Sequence, residues 1–362
     1  MNNHNISALE SLMTKLGTSA DCGIITSDVN RRYFTGMKSS AGTLLVFKEQ
    51  AYFIIDFRYI EKAQKLLSGN SQLNVLLQKN LFEQINTLIE RHNAKTVAVE
   101  SDRCTVAQLE NYRKNLNAQV VSDSSFSDLI NSLRIVKTQE QIDKIIAAQR
   151  IAEQGFEHIL NFISVGRTEH EIQLELDYFM LKNGAEALSF DTIALSGKNT
   201  SLPHGVPSEK KVEQGDFVLL DYGAVVDGYH SDMTRTVCVG QPTEEMMRVY
   251  DTVLEAQIAG LSAVKAGISG KELDKISRDI IVKAGYDDYF GHSLGHGVGM
   301  EIHELPTASP RSDEKLIENS IVTIEPGIYL PDKFGVRIED FVVVKENGCA
   351  NMTLADKKLI IL

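Results

Sequence analysis

The chain is 362 residues long, 43% hydrophobic and 24% charged, values that exclude collagen-like, disulfide-scaffold and largely disordered classes. Its 49 Asp and Glu outnumber 37 Lys and Arg, a net charge of −12 that argues against a nucleic-acid partner. Such an excess of acids either keeps a protein soluble or, where acids cluster, binds hard metal ions. The N-terminus lacks a basic segment followed by an apolar one, and no apolar run approaches the roughly 18 residues of a membrane helix. Cys22, Cys104, Cys238 and Cys349 are scattered without finger spacing and read as reduced thiols. Together these features point to a cytoplasmic protein with no membrane partner, built from about two domains.

In chain order, hydrophobic periodicity predicts an amphipathic helix over 6–17 and strands over 43–47 and 51–56. Helices follow over 59–67 and 80–92, a strand over 96–100 and a helix over 106–116. This alternation is α/β architecture. The polar, serine-rich stretch 122–128 precedes a long amphipathic run over 139–162, so the expected domains are 1–128 and 132–362.

The second part contains an internal repeat. Gly166-Arg-Thr-Glu-His-Glu-Ile172 recurs 101 residues later as Gly267-Ile-Ser-Gly-Lys-Glu-Leu273. Each copy carries a capping box, Thr168 with Glu171 and Ser269 with Glu272, and each helix runs into a glycine, Gly184 or Gly285. Downstream, Phe217-Val-Leu-Leu-Asp221 matches Ile321-Val-Thr-Ile-Glu325. The ordered series implies two related α+β halves.

Asp221 and Asp232 flank a hairpin signal at Val225-Val-Asp-Gly228. A turn centred between 226 and 227 would set them opposite each other, and one centred on Asp227-Gly228 would make them diagonal neighbours on one face. Glu325 and Glu339 flank a second connection, Pro331-Asp-Lys-Phe334, whose midpoint sets these two face to face. Four acids in apolar strand sequence repel unless a cation lies among them. His204, His292, His296 and His303 sit in glycine-rich surroundings, and His204 and His303 are separated by 99 residues, close to the repeat offset. The spacing of His292 and His296 is not an HExxH helix: the glutamate is missing, and Gly295, Gly297 and Gly299 disfavour a helix.

Asp221-Tyr-Gly223, Asp232-Met-Thr-Arg-Thr236, Gly295-His-Gly-Val-Gly299, His303-Glu304, Ile324-Glu-Pro-Gly327 and Val336-Arg-Ile-Glu-Asp340 resemble the creatinase, aminopeptidase P, prolidase and methionine aminopeptidase family. The resemblance is strong over 132–362 and weaker in the first part, through Arg32-Tyr-Phe-Thr-Gly36 and Asp56-Phe-Arg-Tyr59. It implies an α+β pita-bread catalytic domain with a pseudo-twofold repeat, behind an α/β domain that partly covers the site and joins dimer contacts. It also implies two divalent metal ions on Asp221, Asp232, His296, Glu325 and Glu339. That oxygen-rich donor set favours Mn(II), with Co(II), Fe(II) or Zn(II) as substitutes.

By the same resemblance Glu325 handles the proton, and His204 and His303 hold the substrate carbonyl and the tetrahedral intermediate. His292 lies on the proline side. Arg337 either orients Glu339, binds substrate or forms a structural ion pair, and Thr234 supports a ligand carboxylate. Family members that are not metalloenzymes lack the complete ligand set, and methionine aminopeptidases generally lack so large a leading domain. The implied activity is hydrolysis of the bond between an N-terminal residue and a following proline in short peptides, by a homodimer. Dipeptidase and aminopeptidase action both stay open, with methionine aminopeptidase-like activity or a non-catalytic peptide-binding member as alternatives.

Overall fold

The computed structural model describes residues 3–362. They divide into two compact units, one ending at Arg134 and the other running from Ile135 to Leu362.

The first unit comprises α1 (Asn3–Leu16), β1 (Cys22–Ile25), α2 (Asp28–Thr35), β2 (Thr43–Phe47), β3 (Ala51–Ile55), α3 (Ile60–Leu67), β4 (Leu73–Leu77), α4 (Leu81–Arg91), β5 (Thr96–Val99), α5 (Val106–Asn115), β6 (Gln119–Val121) and α6 (Ser125–Ile135). Its mixed six-stranded sheet has the order β4-β3-β2-β1-β5-β6. Strands β1, β2 and β3 are wholly buried, as expected of a sheet covered on both faces. The serine-rich stretch opens α6, and Phe126 explains why: its ring lies against the backbone of Gly23, where even a methyl group would clash. Glu100, also buried, accepts bonds from the Thr26 and Ser27 amides and the Asn30 side chain, and so fixes the entry to α2.

The second unit adds α7 (Gln139–Ile159), α8 (Glu169–Lys182), β7 (Ala187–Leu188), β8 (Ile193–Ser196), β9 (Phe217–Tyr222), β10 (Ala224–Val226), β11 (Tyr229–His230), β12 (Met233–Cys238), α9 (Glu244–Ala263) and α10 (Gly270–Lys283). Then come β13 (Gly295–Gly297), β14 (Glu304–Ala308), β15 (Ile321–Ile324), β16 (Gly327–Leu330), β17 (Phe334–Arg337), β18 (Asp340–Lys345) and β19 (Gly348–Asn351). The repeat appears as two helix pairs, each with an antiparallel three-stranded sheet. Helices α7 and α8 accompany β12-β9-β8, and α9 and α10 accompany β15-β18-β19.

Equivalent bonds recur in the two halves. Both capping boxes form, and Gly166 and Gly267 each donate an amide bond of 2.9 Å, to Val212 and Leu316 respectively. Each half buries its own apolar cluster, one around Ile172, Leu176 and Leu220, the other around Val253, Leu273 and Ile324. The functional groups stand where these two cores meet.

Candidate metal centre

The first pair of acids is placed by a two-residue hairpin. Asp227 and Gly228 have φ of 49° and 82°, as a type I′ turn requires, and glycine adopts the second at no steric cost. Val225 then pairs with His230, and Asp221 with Thr234. Asp232 is therefore the diagonal neighbour of Asp221, and the directly opposed alternative does not occur. In the second half, Gly327 pairs with Arg337 and Ile324 with Asp340. That common register brackets Glu325 and Glu339, which lie at the break between the two ladders. Released from each other, their amides bond elsewhere: Glu325 donates to the Leu294 carbonyl at 2.8 Å and Glu339 to that of Thr234 at 3.1 Å. The second bond joins the two hairpins. The Thr234 hydroxyl adds a bond of 2.7 Å to Glu339 Oε2, the supporting contact expected of it.

His296 enters on β13, whose backbone runs hard against β15. A side chain at Gly295 would meet the Thr323 carbonyl oxygen at 1.9 Å, so only glycine allows the approach. His296 Nδ1 lies 3.1 Å from the Gly297 carbonyl, to which it donates. Nε2 is thereby turned toward the acids, 3.3 Å from Glu325 Oε1 and 3.5 Å from Asp232 Oδ2. One ligand atom from each of Asp232, His296 and Glu339 falls within 4.8 Å of the others.

Burial and mutual repulsion drive the acids toward their protonated forms. Glu325 is pushed up to about 8, chiefly by burial and against the pull of Arg337. Asp232 and Glu339 are raised well above the carboxylate range by burial and then by neighbouring acids. His296 is lowered to about 4 by burial and then by His303. Asp221 Oδ1 and Glu339 Oε1 are buried without a hydrogen-bond partner. Orphaned acceptors, crowded acids and an imidazole lone pair all lack the same thing, a cation. The residues fit a metal site.

Arg337 is 3% exposed, and four of its five donors are committed. They go to Asp221 Oδ2 at 2.5 Å, the Tyr329 hydroxyl at 2.8 Å, the Thr234 hydroxyl at 3.2 Å and the Pro203 carbonyl at 3.4 Å. The expectation that it orients Glu339 is corrected: the acid it grips is Asp221, across the junction of the hairpins. Tyr329, which the motifs did not single out, links Arg337 to His292. Its hydroxyl accepts from Arg337 and donates to His292 Nε2 at 2.9 Å, while His292 Nδ1 donates to the Ser293 carbonyl at 2.8 Å. His292 is lowered to about 4 by burial and then by Arg337. Tyr329 pairs with Gly335 two residues before Arg337, so the index arithmetic used for the acids would also have found it.

Asp221, Asp232, His296, Glu325, Glu339, His204, His292, His303 and Arg337 all line one cavity of about 700 Å³. His204 and His303 are exposed at its wall, and the His303 ring lies edge-on to His296 with centroids 4.4 Å apart. Phe190, Val206 and Ile302 give the cavity an apolar side. A metal site beside an apolar cleft can hold a small organic substrate and polarise one of its bonds. Among the described residues no helix is long and apolar enough to cross a membrane.

Comparison with known proteins agrees with this chemistry. The profile of metallopeptidase family M24 matches residues 143–346, and that of the creatinase/prolidase N-terminal domain matches 6–136. The Xaa-Pro dipeptidase of Pyrococcus furiosus is 39% identical over 94% of this chain and 96% of its own. Among solved structures, the Xaa-Pro dipeptidase from Bacillus anthracis superposes with a TM-score of 0.95 at 40% identity, covering 99% of this chain and 100% of that one. The X-Pro aminopeptidase from Thermotoga maritima gives 0.87 at 36% identity, covering 95% and 98%. The chain belongs to metallopeptidase family M24, with a creatinase/prolidase N-terminal domain ahead of a pita-bread catalytic domain, and is a divalent-metal-dependent peptidase.

Proposed function

We propose that this enzyme hydrolyses the peptide bond between an N-terminal residue and a following proline in short peptides. Asp221, Asp232, His296, Glu325 and Glu339 would hold two divalent ions, Mn(II) by the hardness of four carboxylates and one imidazole. The observation that carries the reading is the unmatched buried acceptors on Asp221 and Glu339 among acids that burial alone would neutralise. The names of the relatives supply the preference for proline.

When bound, the ions would polarise the scissile carbonyl and ease deprotonation of the attacking water. Glu325 Oε would take up that proton and return it to the departing proline nitrogen. His204 and His303, exposed on the cavity wall, would donate to the carbonyl oxygen as negative charge develops. Arg337 and Thr234 would hold Asp221 and Glu339 still throughout. The ring of His292 would face the proline, since both its nitrogens are already engaged.

The purified chain, stripped and reloaded with Mn(II) or Co(II), should cleave Xaa-Pro-containing peptides and lose that activity on chelation. Absence of cleavage under both metals would sink the proposal. The working form is proposed to be a cytoplasmic homodimer. Four free thiols, two of them buried, support the compartment, and a solution mass of a single chain would contradict the dimer.

A further inference from the structure

We infer that Lys137 and Glu304 are positioning residues for His303: their buried ion pair holds the loop that carries this imidazole to the substrate carbonyl. The role of His303 is the one proposed above, and the inference rests on it. Neither Lys137 nor Glu304 lines the cavity. Among the described residues the His303 ring has an edge-on contact with His296 but no hydrogen bond to orient it. Its place is therefore set by the backbone of residues 298–303, which joins β13 to β14.

That backbone is fastened by Glu304, the first residue of β14. Glu304 Oε1 receives the Lys137 ammonium at 2.6 Å, the two side chains being 8% and 2% exposed, and Oε2 accepts from the Glu301 amide at 3.4 Å. The carboxylate lies against Gly299, where a Cβ would meet Oε1 at 2.2 Å, so only glycine leaves the acid its place. Gly299 donates to the Glu301 carbonyl at 3.0 Å and accepts from the His230 amide at 2.8 Å. Lys137 is itself fixed. Its amide donates to the Asn319 carbonyl at 2.9 Å and its ammonium also to that of Ile135 at 3.1 Å. Thr138 and Gln141 then form the capping box that opens α7, and Gln141 donates to the Tyr229 hydroxyl at 2.9 Å, next to His230. The start of α7 thus holds the loop by two routes, through Glu304 and through β11.

A buried ion pair adds little net stability over two apolar side chains of the same size. What it adds is direction, because charge-assisted bonds fix where the carboxylate points. The internal repeat does not account for the acid, since the residue after His204 is Gly205. Glu304 belongs to the loop of His303 alone. A shift of about 1 Å in a group that meets the transition state can cost about 100-fold in rate.

The test compares the metal-loaded full chain with Lys137→Met/Glu304→Met, with His303→Ala and with the triple variant, on Ala-Pro and Ala-Pro-Ala. Two methionines fill the place of the pair without a buried charge, so the melting temperature should stay within about 5 °C of the parent. By contrast, kcat should fall about tenfold or more, with KM and Mn(II) affinity within about threefold. In the metal-free chain, amide hydrogen exchange over 298–303 should quicken about tenfold or more while that over 217–222 and 233–238 stays unchanged. Added to His303→Ala, the two methionines should lower kcat by no more than about twofold, because the group they position is gone. Four results would each overturn the inference and leave the proposed function standing: parental kcat, unchanged exchange over 298–303, an equal loss in both backgrounds, or Mn(II) binding that weakens in step with kcat. If the doubly substituted chain does not fold, Glu304→Gln, which keeps the shape of the side chain, carries the same comparisons with the same expected and overturning results. A parent that cleaves neither peptide would remove the function and this inference together.

Discussion

Arg337 sits on the second hairpin, and its bonds to Asp221 and Thr234 fasten the first hairpin to it from within the protein. The guanidinium fork allows this, since a lysine could not serve Asp221, Thr234 and Tyr329 from one planar group. Replacing Arg337 by Met would leave Asp221, a largely buried acid with 14% of its side chain exposed, with neither oxygen paired. Truncating one partner of a buried pair costs about 3–5 kcal/mol. Tyr329→Phe removes a smaller link, orphaning one Arg337 donor and the His292 Nε2 lone pair, for about 1–3 kcal/mol. Chemical denaturation of the metal-free protein should rank the parent above Tyr329→Phe and both above Arg337→Met. Bound metal would replace part of the missing cationic charge, so it should narrow the gap for Arg337→Met more than for Tyr329→Phe. Two variants within about 0.5 kcal/mol of the parent would show that this network is decorative.

At the scale of elements, the placement of Asp221 against Asp232 depends on a single turn. Gly228 at φ 82° is the position where a side chain is least welcome. Gly228→Ala forces a Cβ into left-handed backbone at about 1–2 kcal/mol. Because the same turn sets the register of β9 and β12, the variant should bind Mn(II) more weakly as well as melt earlier. A variant unchanged in both calorimetric melting and metal titration would separate the turn from the site. This turn also marks how far the sequence could be read. Capping boxes and glycine stops are local chemistry, so the repeated helices α8 and α10 were legible outright. The hairpin left two registers open, because a one-residue shift of the turn keeps the same apolar pattern; only the backbone φ values choose between them. Glu325 and Glu339 offered no such ambiguity, their loop being centred on one residue. In the first unit β1, α2, β4, β6 and α6 escaped notice. Strand β1 has four residues, α2 is mostly polar, and α6 is anchored by Phe126 against Gly23, a contact distant in sequence.

Across the whole catalytic unit, two cores with separate apolar clusters are joined at a knot of acids, so protons and metal compete for the groups that hold the halves together. In the metal-free protein Glu325 keeps its proton up to about 8, and Asp232 and Glu339 are also raised well above the carboxylate range, whereas in the unfolded chain all three titrate near the ordinary carboxylate value of about 4. Between those limits the folded state binds more protons than the unfolded state. Stability contributed by these groups is complete below the unfolded pKa and is lost as pH rises through the folded one. His292 and His296, lowered to about 4, act in the opposite sense, but their contribution is lost only as pH falls below about 6.5. The interval from about pH 6.5 to 8 therefore isolates the acids. Over it, the melting temperature of the chelated protein should fall. The metal-loaded protein, whose acids are already deprotonated by their ligand, should hold nearly constant, so the stabilisation conferred by metal grows with pH. Metal binding at pH 6.5 should also release protons, measurable by titration in buffers of different ionisation enthalpy. A chelated protein equally stable or more stable at pH 8 would mean that the acids are not crowded together in solution, and the metal centre drawn from their geometry would fall with that result.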